Sequence, residues 1–176
     1  MEPEYATADA FRYLTTPELQ PILDVLASIA WPCSGAAVRD IITRLGWTEV
    51  SNRVHLMADA HLPLNRTLGE FAHPGGGLRE VSLPVSDTVS SSDPRALSAV
   101  RGAFSVVRSS IESALGEPGG QRGSGDPQAW WDLATGGRVR LDSVGIRLQL
   151  RLVSPLDADV ERFEESRDLS QYDNEE

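Results

Sequence analysis

The segment RVRLDSVGIRLQLRLV, residues 138–153, decides the fold. Its apolar residues alternate with polar ones, which is the period of a strand buried on one side. A two-residue turn at Asp142-Ser143 would pair Leu141 with Val144 and Val139 with Ile146, all on one face. Leu148, Leu150 and Leu152 continue that face, while Arg138, Arg140, Arg147 and Arg151 occupy the other. Arginines facing each other across a hairpin repel, so their face must be solvated or supplied with carboxylates. Upstream, QAWWDLA (128–134) forms a further strand, joined through Gly136-Gly137. Trp130 and Trp131 are neighbours on it and must point to opposite sides. One belongs to the core; the other lies among the arginines, which can stack on it.

Helices complete the apolar side. SDPRALSAVRGAFSVVRSSIESALG (92–116) repeats Leu97, Val100, Phe104, Val107, Ile111 and Leu115 at steps of three and four, with Gly116 beyond its end. Residues 15–31 predict a first helix, with Pro21 at or near its start, where no hydrogen bond is lost. Residues 34–47 predict a second, capped by Ser34 and stopped by Gly46. The two form a helical hairpin with Trp31 and Trp47 at its ends. NRVHLMA (52–58) and LREVSLPV (78–85) read as strands, with Pro84 suited to an edge or strand end. Residues 59–77 give no clear period. The expected fold is α+β: an antiparallel sheet with the N-terminal helical hairpin and the long central helix packed on one face.

The chain has 176 residues, 40% of them apolar, enough for one domain with its own core. That domain is expected to span 1–156. From Asp157 the composition shifts: residues 157–176 hold nine acids and two arginines, a local net of −7. This acidic segment is expected to be partly helical or loose, with Val160 and Phe163 on a short amphipathic helix. The whole chain carries 16 basic and 26 acidic residues, net −10, and every basic residue is arginine. Such a balance opposes binding to nucleic acid or anionic membranes and favours a basic protein partner. The single cysteine, Cys33, rules out an internal disulfide and fits a reducing compartment. The acidic N-terminal stretch lacks the pattern of a secretion signal, and the expected location is the cytoplasm.

Catalytic equipment is sparse. LGEPGGQRGSGDPQAWW (115–131) is glycine-rich, but it follows a helix and enters a strand, the reverse of a phosphate-binding loop. A helix C-terminus carries partial negative charge and repels phosphate. The stretch reads instead as a connector or a partner-contacting loop. His55 and His61, in HLMADAH, match neither HExxH nor a helical i, i+4 pair, and no second cysteine assists. Glu70, Asp87 and Asp93 would need to meet in space to form a carboxylate pair. No cofactor, metal or catalytic residue is assigned.

Taken in order, GWTEV, GGGLREVSLPVSD, a long helix ending ALGEP and WWDLATGGRVRLDSVGIRLQL resemble a family of small actinobacterial toxin-immunity proteins. The family includes mycobacterial inhibitors of a necrotizing NAD⁺ glycohydrolase. The resemblance implies an immunity protein, an antitoxin that binds one secreted toxin molecule inside the producing cell and denies it NAD⁺. On that expectation the glycine-rich loops or the acidic C-terminal segment cover the toxin's NAD site, which must be locally basic to hold a pyrophosphate. The candidate contacts are Glu164, Glu165 and Asp168, with Arg122 and Trp131 beside them. Two other classes compete: a secretion chaperone or adaptor, and a small cytosolic enzyme with a dispersed site near His55 or His61.

Overall fold

The computed structural model describes residues 4–50, 56–73, 76–123 and 125–172, with the backbone alone for 168–172. Eight strands form one antiparallel sheet: β1 (Thr48–Glu49), β2 (Leu56–Asp59), β3 (Leu68–Ala72), β4 (Glu80–Pro84), β5 (Gly120–Arg122), β6 (Gln128–Asp132), β7 (Arg138–Ser143) and β8 (Leu148–Val153). Their spatial order is β1-β2-β3-β4-β8-β7-β6-β5. Two meanders therefore meet where β4 pairs with β8. The connection between them carries the long helix α3 (Pro94–Leu115).

Local chemistry sets the helix limits. Asp93 accepts the Ala96 amide at 3.1 Å and caps α3, which ends at Gly116 with φ 87°. Ser34 accepts the Ala37 amide at 3.3 Å and caps α2 (Gly35–Arg44). In α1 (Thr16–Ala27), Pro17 takes the first turn and Pro21 lies inside the helix. Pro21 is thus not the starting proline the sequence suggests; it forfeits the bond its amide would make four residues back. α1 packs against α3. Both bury apolar stripes in one cluster with Val139, Leu141, Leu150 and Leu152 of the sheet.

Three strand expectations change. The hairpin between β7 and β8 does not turn at Asp142-Ser143. Ser143 pairs with Leu148 and Leu141 with Leu150, and the chain reverses at Gly145-Ile146. There the Val144 amide meets the Arg147 carbonyl at 3.0 Å. Gly145 has φ 82°, a conformation glycine adopts without steric cost, and it fixes the turn there. β3 lies within the stretch that shows no clear period, and β5 within the glycine-rich stretch. Residues 52–55 of the predicted strand, His55 included, lie outside the described residues.

The acidic C-terminal segment is the largest departure. It forms an 18-residue helix, α4 (Pro155–Tyr172), on the sheet face opposite α1 and α3. Over that part of the sheet the molecule has helices on both faces and three layers. Helix α4 is also inverted. Asp157, Ala158, Glu161 and Glu165 turn toward the body of the protein, while Leu156, Val160 and Phe163 stand 61%, 52% and 62% exposed.

Candidate functional site

Alternation along β7 sends Arg138, Arg140 and Asp142 to the face away from the core, and β8 adds Arg151. Arg140 pairs directly with Arg151, the like-charge juxtaposition expected from the sequence. Asp142 resolves it, lying 3.0 Å from Arg140 and 3.4 Å from Arg151. Glu161 of α4 then meets Arg140 at 2.6 Å, and Glu80 of β4 meets Arg151 at 2.5 Å. Each guanidinium acquires two carboxylates, so neither charge is left facing the other uncompensated.

Arg138 is the centre of this face and only 2% exposed. Its Nε donates to Asp132 at 2.9 Å, and Nη1 donates to Glu165 at 2.5 Å and Glu161 at 3.3 Å. Burial opposes its charge, but Asp132 and Glu165 outweigh that cost and raise its pKa. Burial likewise works against ionised Asp132, yet bonds from Arg138 and Arg162 hold its carboxyl below the ordinary value. At the start of α4, Asp157 accepts Arg79 Nε at 2.9 Å. The Arg79 bond is the main cause of the lowered Asp157 pKa. Helix α4 is therefore seated by charge: acids four residues apart, at 157, 161 and 165, reach arginines of the body.

Trp130 is the tryptophan on this face. The guanidinium carbons of Arg138 and Arg122 lie 5.4 and 5.7 Å from its ring centroid. Gly120 sits directly opposite on β5, and any Cβ there would run into the indole. The glycine lets the backbone pass close against that ring. Trp131 points the other way, 2% exposed, and its Nε1 donates to the Gly116 carbonyl at 2.9 Å. Trp131 is therefore not open to a partner, and the half-buried Trp130 is the indole on the arginine face.

The sequence candidates largely converge. Glu164, Glu165 and Arg122 line one cavity of about 140 Å³, together with Trp130, Gln128, Arg138, Arg140 and Glu161. Within it Glu164 is exposed, whereas Glu165 is tied to Arg138 and is not the open contact that the sequence suggests. Asp168 lies on α4, but its side chain is outside the described residues. The sequence leaves open which tryptophan faces the arginines and which carboxylates compensate them; these are Trp130 and the acids of β6, β7, β4 and α4. The signal for this pairing was present: arginines at 138, 140 and 151, and acids at helical spacing from 157.

The remaining candidates have structural occupations. Asp87 is buried and accepts the Arg12 and Asn65 amides, and Asp93 caps α3. His61 meets Thr48 at 2.7 Å and Asp59 at 3.6 Å. Cys33 is buried, and desolvation raises its thiol pKa, which disfavours the reactive thiolate. Among the described residues no group of three or more His, Cys, Asp or Glu could hold a metal ion. Nor is any helix among them long and apolar enough to cross a membrane.

No curated protein and no solved structure matches this chain. One family model does, that of the "Family of unknown function (DUF6301)", over residues 17–154. The match runs from α1 to the end of β8 and stops before α4. It covers most of the chain, which therefore belongs to the DUF6301 family.

Proposed function

We propose that this protein is a non-catalytic protein binder: an immunity protein that inhibits an NAD-hydrolysing toxin in the cytoplasm of the producing cell. In this reading it binds one toxin molecule, covers the toxin's NAD-binding site, and needs no cofactor or metal of its own. The toxin itself comes from the resemblance of the strand and helix motifs to actinobacterial immunity proteins. The observation that supports a contact surface is the convergence of Glu164, Arg122 and Trp130 at one mouth. Tryptophan and arginine are the residue types that anchor protein interfaces. At about 140 Å³ the cavity is below the roughly 300 to 1,000 Å³ of small-molecule sites. The exposed Glu164 carboxylate competes for cationic groups that would otherwise hold the pyrophosphate of NAD⁺.

The test is a titration of this protein into purified toxin while NAD⁺ loss is followed. Activity should disappear at one equivalent, and Glu164→Lys should slow association most at low salt. Undiminished hydrolysis at excess protein would overturn the reading. Binding without inhibition would instead support a secretion chaperone or adaptor, and turnover of a metabolite by this chain alone would support an enzyme.

A further inference from the structure

The sheet face away from the core has two halves. On β7, Arg138 and Arg140 meet carboxylates of the sheet and of α4. Over β3, β4 and the start of β8 the face instead opens into a cleft of about 480 Å³, within the roughly 300 to 1,000 Å³ of small-molecule sites. Its chemistry changes in order along the strands. Arg66, Leu68 and Glu70 stand at alternate positions leading into β3, and all three line the cleft. The strands are antiparallel, so stepping from Glu70 to Leu68 to Arg66 runs beside Ser82 to Pro84 on β4. The same step runs beside Arg151 to Gln149 to Arg147 at the start of β8. One end of the cleft therefore carries the Arg66 and Arg147 guanidinium groups, the middle Leu68 and Pro84, and the other end the Glu70 carboxylate.

These charges are not neutralised within the protein. Among the described residues no carboxylate lies within ion-pair reach of Arg66 or Arg147, and no cation within reach of Glu70. Arg147 is held only by the neutral Gln149 carbonyl at 3.3 Å, and the Gln149 amide donates in turn to Ser82. Asp59, at the margin, is occupied: it accepts the Thr67 hydroxyl at 2.6 Å and the His61 amide at 2.9 Å. The backbone on both sides of Arg66 is tied down. The Asn65 amide donates to Asp87 at 2.9 Å and its side chain to the Thr88 carbonyl at 2.8 Å, while the Thr67 carbonyl accepts the Ala60 amide at 2.8 Å. A frame fixed in advance lowers the ordering cost of binding. We propose that this cleft binds an elongated zwitterion of short-peptide size. Its carboxylate lies between Arg66 and Arg147, its apolar middle over Leu68 and Pro84, and its ammonium at Glu70. Guanidinium-carboxylate bonds are the strong ones in such a site. About 13 Å of extended backbone separates Arg66 from Glu70, so a free amino acid reaches one end only. The long side chains close part of that span, and a tripeptide bridges the rest. The cleft shares no lining residue with the Trp130 mouth, so it stands or falls separately from the proposed inhibition.

The probe is trialanine, titrated into the full-length protein at low salt and followed by calorimetry, beside its C-terminal amide and its N-acetyl derivative. Trialanine should bind saturably at one equivalent. Arg66→Gln with Arg147→Gln should weaken it by about tenfold, and amidation of the peptide should do the same to the unaltered protein. Glu70→Gln should weaken trialanine by about threefold and leave the N-acetyl peptide unaffected, because its ammonium is already gone. A general loosening of the fold would weaken both peptides alike. Absence of saturable binding, or equal affinity for trialanine and either capped peptide, would overturn the inference. So would inorganic phosphate competing as strongly as trialanine, because the site would then take any anion. None of these outcomes bears on toxin inhibition, and failure of that inhibition leaves them intact.

Discussion

The two faces of the sheet are covered by helices held in opposite ways. On one, α1 and α3 press apolar stripes onto Val139, Leu141, Leu150 and Leu152, and water is excluded. On the other, α4 is seated by carboxylates on arginines and leaves its apolar ridge outside. Hydrophobic burial is roughly proportional to area and little affected by modest salt. Ion pairs at partly exposed positions are screened, and they vanish when the carboxylates take up protons. One covering is thus a permanent part of the domain, while the other answers to solution conditions.

A core truncation should give the largest effect. Leu150→Ala removes a side chain only 1% exposed and should cost about 3 kcal/mol, measured by denaturant unfolding and nearly unchanged by added salt. Arg138→Met keeps the stem's bulk but removes the charge under α4. It takes the guanidinium away from Glu165, leaves Glu161 to Arg140 and Asp132 to Arg162, and should cost about 2 kcal/mol. That loss should appear first as faster amide exchange in α4, with the core strands still protected. Equal loosening of α3 would mean that the two coverings are not independent.

Acid gives the mildest and most selective effect. Asp157 and Asp132 have folded pKa values below their unfolded ones. Their contribution is complete above the unfolded value, about 4, and is lost as pH falls through the lower folded values. Below about pH 4, α4 should therefore begin to detach while the core remains folded, as limited proteolysis of the C-terminal segment would show. Neutralising Arg79 as Arg79→Gln should move this loss toward higher pH. Simultaneous melting of both faces would remove the distinction.

The apolar face was largely readable in the sequence because its signals are periodic and local. Leucines at alternate positions in β8, the three- and four-residue repeat in α3, and the Ser34 cap each act within a few residues. β3 was not readable. It has only five residues, and Gly69 replaces an apolar side chain because the Trp47 ring lies 2.9 Å from where a Cβ would stand. The turn at Gly145 was misplaced because Asp-Ser is an equally polar candidate, and only the pairing register decides between them. The charged face depends on partners far apart in the chain: Arg138 and Glu165 are 27 residues apart, and Arg79 and Asp157 are 78 apart. An acidic segment read by itself suggests a free surface. What it lacks is the knowledge that arginines wait on the other side.

The position of Trp130 turns this asymmetry into something that can be watched. Its indole sits beside two guanidinium groups, one of them clamped by α4, whereas Trp131 is enclosed in the core. Departure of the helix would change the surroundings of Trp130, and of Trp31 beside Pro155 and Leu156, and spare Trp131. The molecule therefore carries a built-in optical gauge, whose emission colour would track the outer covering without any attached dye.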